Sequence, residues 1–202
     1  MRVIVIGGTG TIGSAVVKRL STRHEVVVVG HKKGAFQVDL ASPDSITSLF
    51  KAIGTCDAMV STAGIAKFAS LDDLTYDDYF IGLKNKLMGQ ANLVRIGRPF
   101  VTDHGSFTLT SGVLSQNPMK GSASISMVNA GLEGFVRAAA IDLPRGLRVN
   151  VVSPPWVTET LIARSMDPSI GIPADQVAQA YVASVEGTMS GQTLDPRQIA
   201  AA

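Results

Sequence analysis

With Cys56 as its only cysteine, the chain can close no disulfide within itself, which excludes a small disulfide-stapled scaffold. Charge of one sign is equally scarce. Eighteen Lys and Arg stand against sixteen Asp and Glu, and no basic block or aromatic-interleaved basic stripe occurs, so a nucleic-acid partner is not expected. No apolar run approaches the roughly 20 residues of a membrane span, and no membrane partner is expected. No His/Cys/carboxylate cluster stands at ligand spacing, so no metal is expected. The opening Met-Arg-Val-Ile-Val-Ile-Gly reads as a strand rather than a leader, from which a cytoplasmic location is expected. Repeats and low-complexity linkers are missing too. At 202 residues and 46% apolar composition, a single domain over 1–202 is the expectation.

What is present is an alternation. Arg2 to Ile6 is a β-branched run, and Thr11 to Leu20 has the helical spacing of Ile12, Val16 and Leu20. Strands follow at Glu25 to Val29, Asp57 to Ser61, Ser106 to Thr110 and Arg148 to Val152, with a short one near Gln192 to Leu194. Helices are expected from a Ser42 cap to Ile53, near Tyr76 to Ile96, near Ser124 to Leu143, and at Gln176 to Val185. Only His31 to Phe36 separate the second strand from Gln37-Val38-Asp39, too few for a helical crossover, so a stub strand is expected there. His24 and His104 are expected to precede strands, at the end of the sheet away from any ligand. The alternation predicts an α/β fold, a Rossmann-type doubly wound parallel sheet in three layers.

Gly7, Gly10 and Gly13 form G-x-x-G-x-x-G between the first strand and the first helix, the context that makes this spacing meaningful. Gly7 permits the tight turn, Gly10 the approach of a pyrophosphate, and Gly13 close packing of helix on strand. Thr9 and Thr11 can add hydroxyl donors, and with Ile12 they complete the candidate phosphate-binding segment at the helix start. The second strand ends at Gly30 where an acidic residue would bond the ribose hydroxyls of NAD. His31 and Lys32 follow and favour a 2′-phosphate, so NADP(H) is the expected cofactor.

Further landmarks are Asp39-Leu40, Ser61-Thr62-Ala63-Gly64, Thr110-Ser111-Gly112, and the run from Ala130-Gly131-Leu132 through Asn150 to Ser153-Pro154. Together with the glycine loop they resemble the short-chain dehydrogenase/reductase family over roughly residues 2 to 195. The resemblance implies that Asp39 and Leu40 meet the adenine and that Ala63 and Gly64 pass beside the cofactor. It also implies that Pro154 lies near the nicotinamide and that Ser111 hydrogen-bonds a substrate carbonyl. It further implies a homodimer or homotetramer, paired through the small-residue helix at Ser124 to Leu143, and a small-molecule carbonyl or alcohol substrate.

The family's Y-x-x-x-K is missing. Its tyrosine position holds Ile125 and its lysine position Asn129, and an isoleucine has no proton to give while an amide has no charge. The asparagine of the family's proton relay corresponds to Lys86, which makes Lys86 a candidate for the missing positive charge, with Ser111 as its catalytic companion. Two readings follow: an NADP(H)-dependent oxidoreductase with an atypical site, or a catalytically inactive NADP(H)-binding regulatory protein of the same fold.

Overall fold

The computed structural model describes residues 1–199, so the last three positions of the expected domain lie outside it. Strand β1 (Arg2–Ile6) alternates its side chains across a central sheet. Val3 and Val5 face one apolar layer, Ile4 and Ile6 the other. Burial on both faces is what turns the sequence into continuous β-branched runs.

The chain then passes through α1 (Thr11–Leu20), β2 (Glu25–Gly30), the two-residue β3 (Phe36–Gln37), α2 (Pro43–Ile53) and β4 (Cys56–Ser61). Helix α2 starts as its sequence dictates, with Ser42 Oγ accepting from Ser45 N and Pro43 at the first position. After β4 come α3 (Tyr76–Gly82) and α4 (Gly89–Gly97), followed by β5 (Val101–Thr110), α5 (Ala123–Asp142) and β6 (Arg148–Val152). The short α6 (Thr158–Ala163), then α7 (Ala174–Glu186) and β7 (Thr193–Leu194) close the order. All seven strands are parallel, in the order β3-β2-β1-β4-β5-β6-β7.

One face of the sheet is covered by α2, α4 and α5, with Phe50, Leu93, Phe107 and Leu132 fully buried there. The other carries α1 and α7 around Val16 and Tyr181. Each such side chain contributes about 1.5–3 kcal/mol of burial. The doubly wound fold is therefore as expected. Because the sheet grows outward in opposite directions from β1 and β4, the carboxyl ends of these two strands flank a crevice, the usual ligand position in such sheets.

Four local expectations are corrected. The stub strand forms without a helix before it, but at Phe36–Gln37, one residue earlier than expected. His104 lies within β5 rather than ahead of it, because that strand begins at Val101. The helix expected over Tyr76 to Ile96 is interrupted by a π-helical turn, Leu83–Met88, between α3 and α4. Helix α6 was not expected from the sequence; its six residues are too few to show periodicity. Among the described residues, no helix is long and apolar enough to cross a membrane and no group of three His, Cys, Asp or Glu is placed to hold a metal.

Candidate active site

The crevice between β1 and β4 opens into a cleft of ≈ 300 Å³. Gly7 turns the chain at φ +79°, and a Cβ there would stand 2.8 Å from Thr62 Oγ1 and 2.9 Å from the Ala63 nitrogen. A Cβ on Gly13 would stand 2.0 Å from the Gly7 carbonyl oxygen. No side chain can occupy either place without moving backbone. Helix α1 begins at Gly10 with no side-chain cap and no acidic residue in its first turn, unlike α2 and α3, which Ser42 and Thr75 cap. Its free N–H groups and positive dipole end are left for an external anion.

Gly7, Thr9, Gly10, His31, Leu40, Ala63 and Gly64 line this cleft, joined by Gly30, Val38, Thr62, Ile65 and Asn85. Thr11, Ile12 and Gly13 form the first turn of α1 behind the loop. Lys32 and Asp39 are exposed beside the cleft and are not among its walls; Asp39 Oδ1 accepts from the Ala41 nitrogen at 2.9 Å. Gly30 has a steric reason as well as an electrostatic one. A Cβ there would lie 1.9 Å from the Lys33 carbonyl oxygen, because the chain doubles back over it.

A second cavity, of ≈ 230 Å³, has Lys86, Ser111, Asn129 and Pro154 among its walls, together with Phe68, Ile125, Trp156 and Arg164. Lys86, Ile125 and Asn129, three positions at which the resemblance breaks, share this cavity. Lys86 Nζ donates to Asn129 Oδ1 at 2.8 Å and to the Ser111 carbonyl at 2.9 Å, while Asn129 Nδ2 donates to the Gly112 carbonyl at 3.2 Å. Crowding by protein atoms disfavours the charged form and brings the Lys86 pKa down to about 8. An ammonium has three donors, so one remains after these two bonds.

The π-helical turn sets this lysine. Asn85 Oδ1 accepts from the Ile65 nitrogen at 3.0 Å on the first cleft, while its neighbour Lys86 reaches the second. Such turns recur at functional sites because they re-aim side chains within a helix. Gly64 lets the lysine stem pass, since a Cβ there would lie 2.7 Å from Lys86 Cγ.

Ser111 is buried, and its hydroxyl donates to Glu133 Oε1 at 3.1 Å. Glu133, also buried, accepts as well from Ser115 Oγ at 2.6 Å and Gln116 Nε2 at 3.4 Å. The strand end beneath is clamped by Gln90, which exchanges two bonds with the Thr110 backbone at 2.8 and 2.9 Å. Sequence reasoning missed Glu133, Gln90, Trp156 and Arg164. A signal existed for Glu133, which falls one helical turn after Asn129 on the buried face that also carries Val128, Leu132 and Val136.

Residues 11–202 match the family model described as Enoyl-(Acyl carrier protein) reductase. The structure is similar to that of the protein lin1944 from Listeria innocua, with a TM-score of 0.93 and 38% identity over 96% of this chain and 98% of that one. A short chain dehydrogenase from Burkholderia cenocepacia J2315, solved in complex with NADP, is similar at a TM-score of 0.81 and 27% identity, covering 96% and 95% of the two chains. Among curated proteins, the short-chain dehydrogenase/reductase ATR9 of Stachybotrys chlorohalonatus (strain IBT 40285) is 28% identical over 225 residues, 89% of this chain and 88% of that protein.

Proposed function

The chain belongs to the short-chain dehydrogenase/reductase family, and from that premise we propose that it is an NADP(H)-dependent oxidoreductase acting on the carbonyl or alcohol group of a small molecule. The observation that carries this reading is the Lys86 ammonium held against Asn129 and the Ser111 carbonyl, in the wall of the cavity beside the dinucleotide cleft.

The cleft fits a nicotinamide dinucleotide. The uncapped start of α1 takes the pyrophosphate through Gly10, Thr11, Ile12 and Gly13, and Thr9 adds a hydroxyl. Leu40 and Asp39 flank the adenine side, Ala63 and Gly64 the middle, and Pro154 the nicotinamide side. His31 and Lys32 meet the 2′-phosphate, and the similarity to the NADP-bound Burkholderia protein supports this choice. When bound, the cofactor supplies or accepts the hydride. The chain's own part is the proton. With its pKa near 8, Lys86 is charged at neutral pH and can place its third N–H on a substrate oxygen, giving up the proton as charge develops there. Asn129 fixes the ammonium, and Ser111, its own proton turned to Glu133, holds the wall behind it.

Calorimetric titration with NADPH and NADH tests the cofactor reading. Charge-assisted bonds to the 2′-phosphate are worth about 1.5–3 kcal/mol. The expected preference for NADPH is therefore about tenfold to a hundredfold. Equal affinities, or tighter NADH binding, would reject it. The commitment of the Ser111 proton to Glu133 favours the second reading, a binding protein without turnover. NADPH oxidation across a panel of carbonyl compounds separates the two, since a pure binding protein oxidises none of them.

A homo-oligomer paired through α5 belongs to the same proposal. A groove between α4 and α5, lined by Met88, Phe135 and Leu143, gives a second copy an apolar seat. A monomer mass in light scattering at micromolar concentration would sink this part.

A further inference from the structure

The cavity around Lys86 carries a second cation that the proposed reaction leaves unused. Its walls hold two cations, Lys86 at the relay and Arg164 just after α6, and no Asp or Glu. Arg164 is exposed and forms no ion pair among the described residues. The carboxylates nearby in sequence or space are already committed. Glu159 accepts from the Ala174 nitrogen at 2.9 and 3.1 Å, Asp167 from the Ser169 nitrogen at 2.9 Å, and Glu133 from Ser111, Ser115 and Gln116.

Apolar side chains share these walls with the two cations. Ile125 and Trp156 form part of it, and Phe68 is seated on Gly121, where a Cβ would lie 2.9 Å from its ring. At ≈ 230 Å³ the space falls below the about 300–1,000 Å³ of sites for drug-sized ligands, so the occupant is small. A planar guanidinium without a partner matches a carboxylate in a two-pronged geometry that a neutral group cannot repeat.

Resting on the oxidoreductase reading, we infer that the substrate of this site is a small oxo acid or the corresponding hydroxy acid. Its carboxylate is held by Arg164, its apolar body lies against Ile125 and Trp156, and its carbonyl or hydroxyl oxygen is turned toward Lys86.

Trp156 is the only tryptophan in the chain and stands in the wall of the cavity, so its emission reports occupancy without turnover. The probes are benzoylformate, benzoylacetate and 3-benzoylpropionate, each beside its methyl ester, titrated into the NADP⁺-loaded protein with calorimetry in parallel. At least one acid is expected to bind about tenfold or more tightly than its ester, the size of a charge-assisted bond. In Arg164→Gln that ratio should collapse to within about threefold while ester affinity is kept; the residue is exposed, and a thermal melt checks that the variant is folded. Esters that bind as well as acids, an acid preference unchanged in Arg164→Gln, or no binding of any probe by either measurement would overturn the inference. NADPH oxidation with the same compounds tells its failure from that of the parent reading. Equal turnover of esters and acids removes the oxo acid and keeps the oxidoreductase. Arg164-dependent acid binding without turnover of any probe keeps the anion site and removes the oxidoreductase.

Discussion

The two clefts at the carboxyl end of the sheet are made of different material. The dinucleotide cleft is built largely from backbone, and its shape depends on places where a Cβ cannot be, at Gly7, Gly13 and Gly30. The cavity beside it is built from residues that arrive from separate elements: Lys86 from the π-helical turn, Ile125 and Asn129 from α5, Ser111 from beyond β5. A backbone site has one solution at each position. A side-chain site has several, because a charge can be brought to the same point from either of two helices.

If the positive charge is what matters, and not the helix it comes from, Lys86→Met should lower turnover of a carbonyl substrate by about 10²–10⁴, the contribution of a positioned acid. NADPH should still bind. The reductive rate of the unaltered protein should fall as pH rises through about 8, because Lys86 must carry its proton to give it, and that alkaline limb should vanish in the variant. The sharper test exchanges the pair. Lys86→Asn and Asn129→Lys should each be slow, and the double variant should recover to within about tenfold of the starting rate. A double variant no faster than either single one would show that the two positions are not equivalent donors of charge.

The backbone cleft should behave in the opposite way, with no second change able to rescue it nearby. A methyl at Gly13, directed at the Gly7 carbonyl, should weaken NADPH about tenfold or more and cost about 1–3 kcal/mol of stability in urea unfolding. Full NADPH affinity in Gly13→Ala would mean that the loop is more forgiving than its contacts indicate, and the contrast between the two clefts would fail.

The same contrast explains what could be read from the amino-acid sequence. The strand-helix alternation, the glycine loop and the stub third strand were legible because they follow from local spacing and from lengths too short to hold a helix. Lys86 could be singled out only by its place in a family pattern; its contact with Asn129, 43 positions away, is a product of packing. The π-helical turn was invisible, since Leu83 to Met88 holds no proline or glycine to mark it. Gly30 was legible for half of its reason: the missing carboxylate can be read from the sequence, the collision with Lys33 cannot.

That turn also joins the two clefts through a single peptide unit. Asn85 ties it to Ile65 in the wall of the dinucleotide cleft, and Lys86 ties it to Ser111 and Asn129 in the wall of the other. A shift of Ile65 when one ligand settles is thus carried to the ammonium by two consecutive residues with no intervening side chain. Whatever factor the dinucleotide imposes on affinity for the second ligand, that ligand must return to the dinucleotide in equal measure, for a coupling free energy belongs to the pair of sites and has no direction.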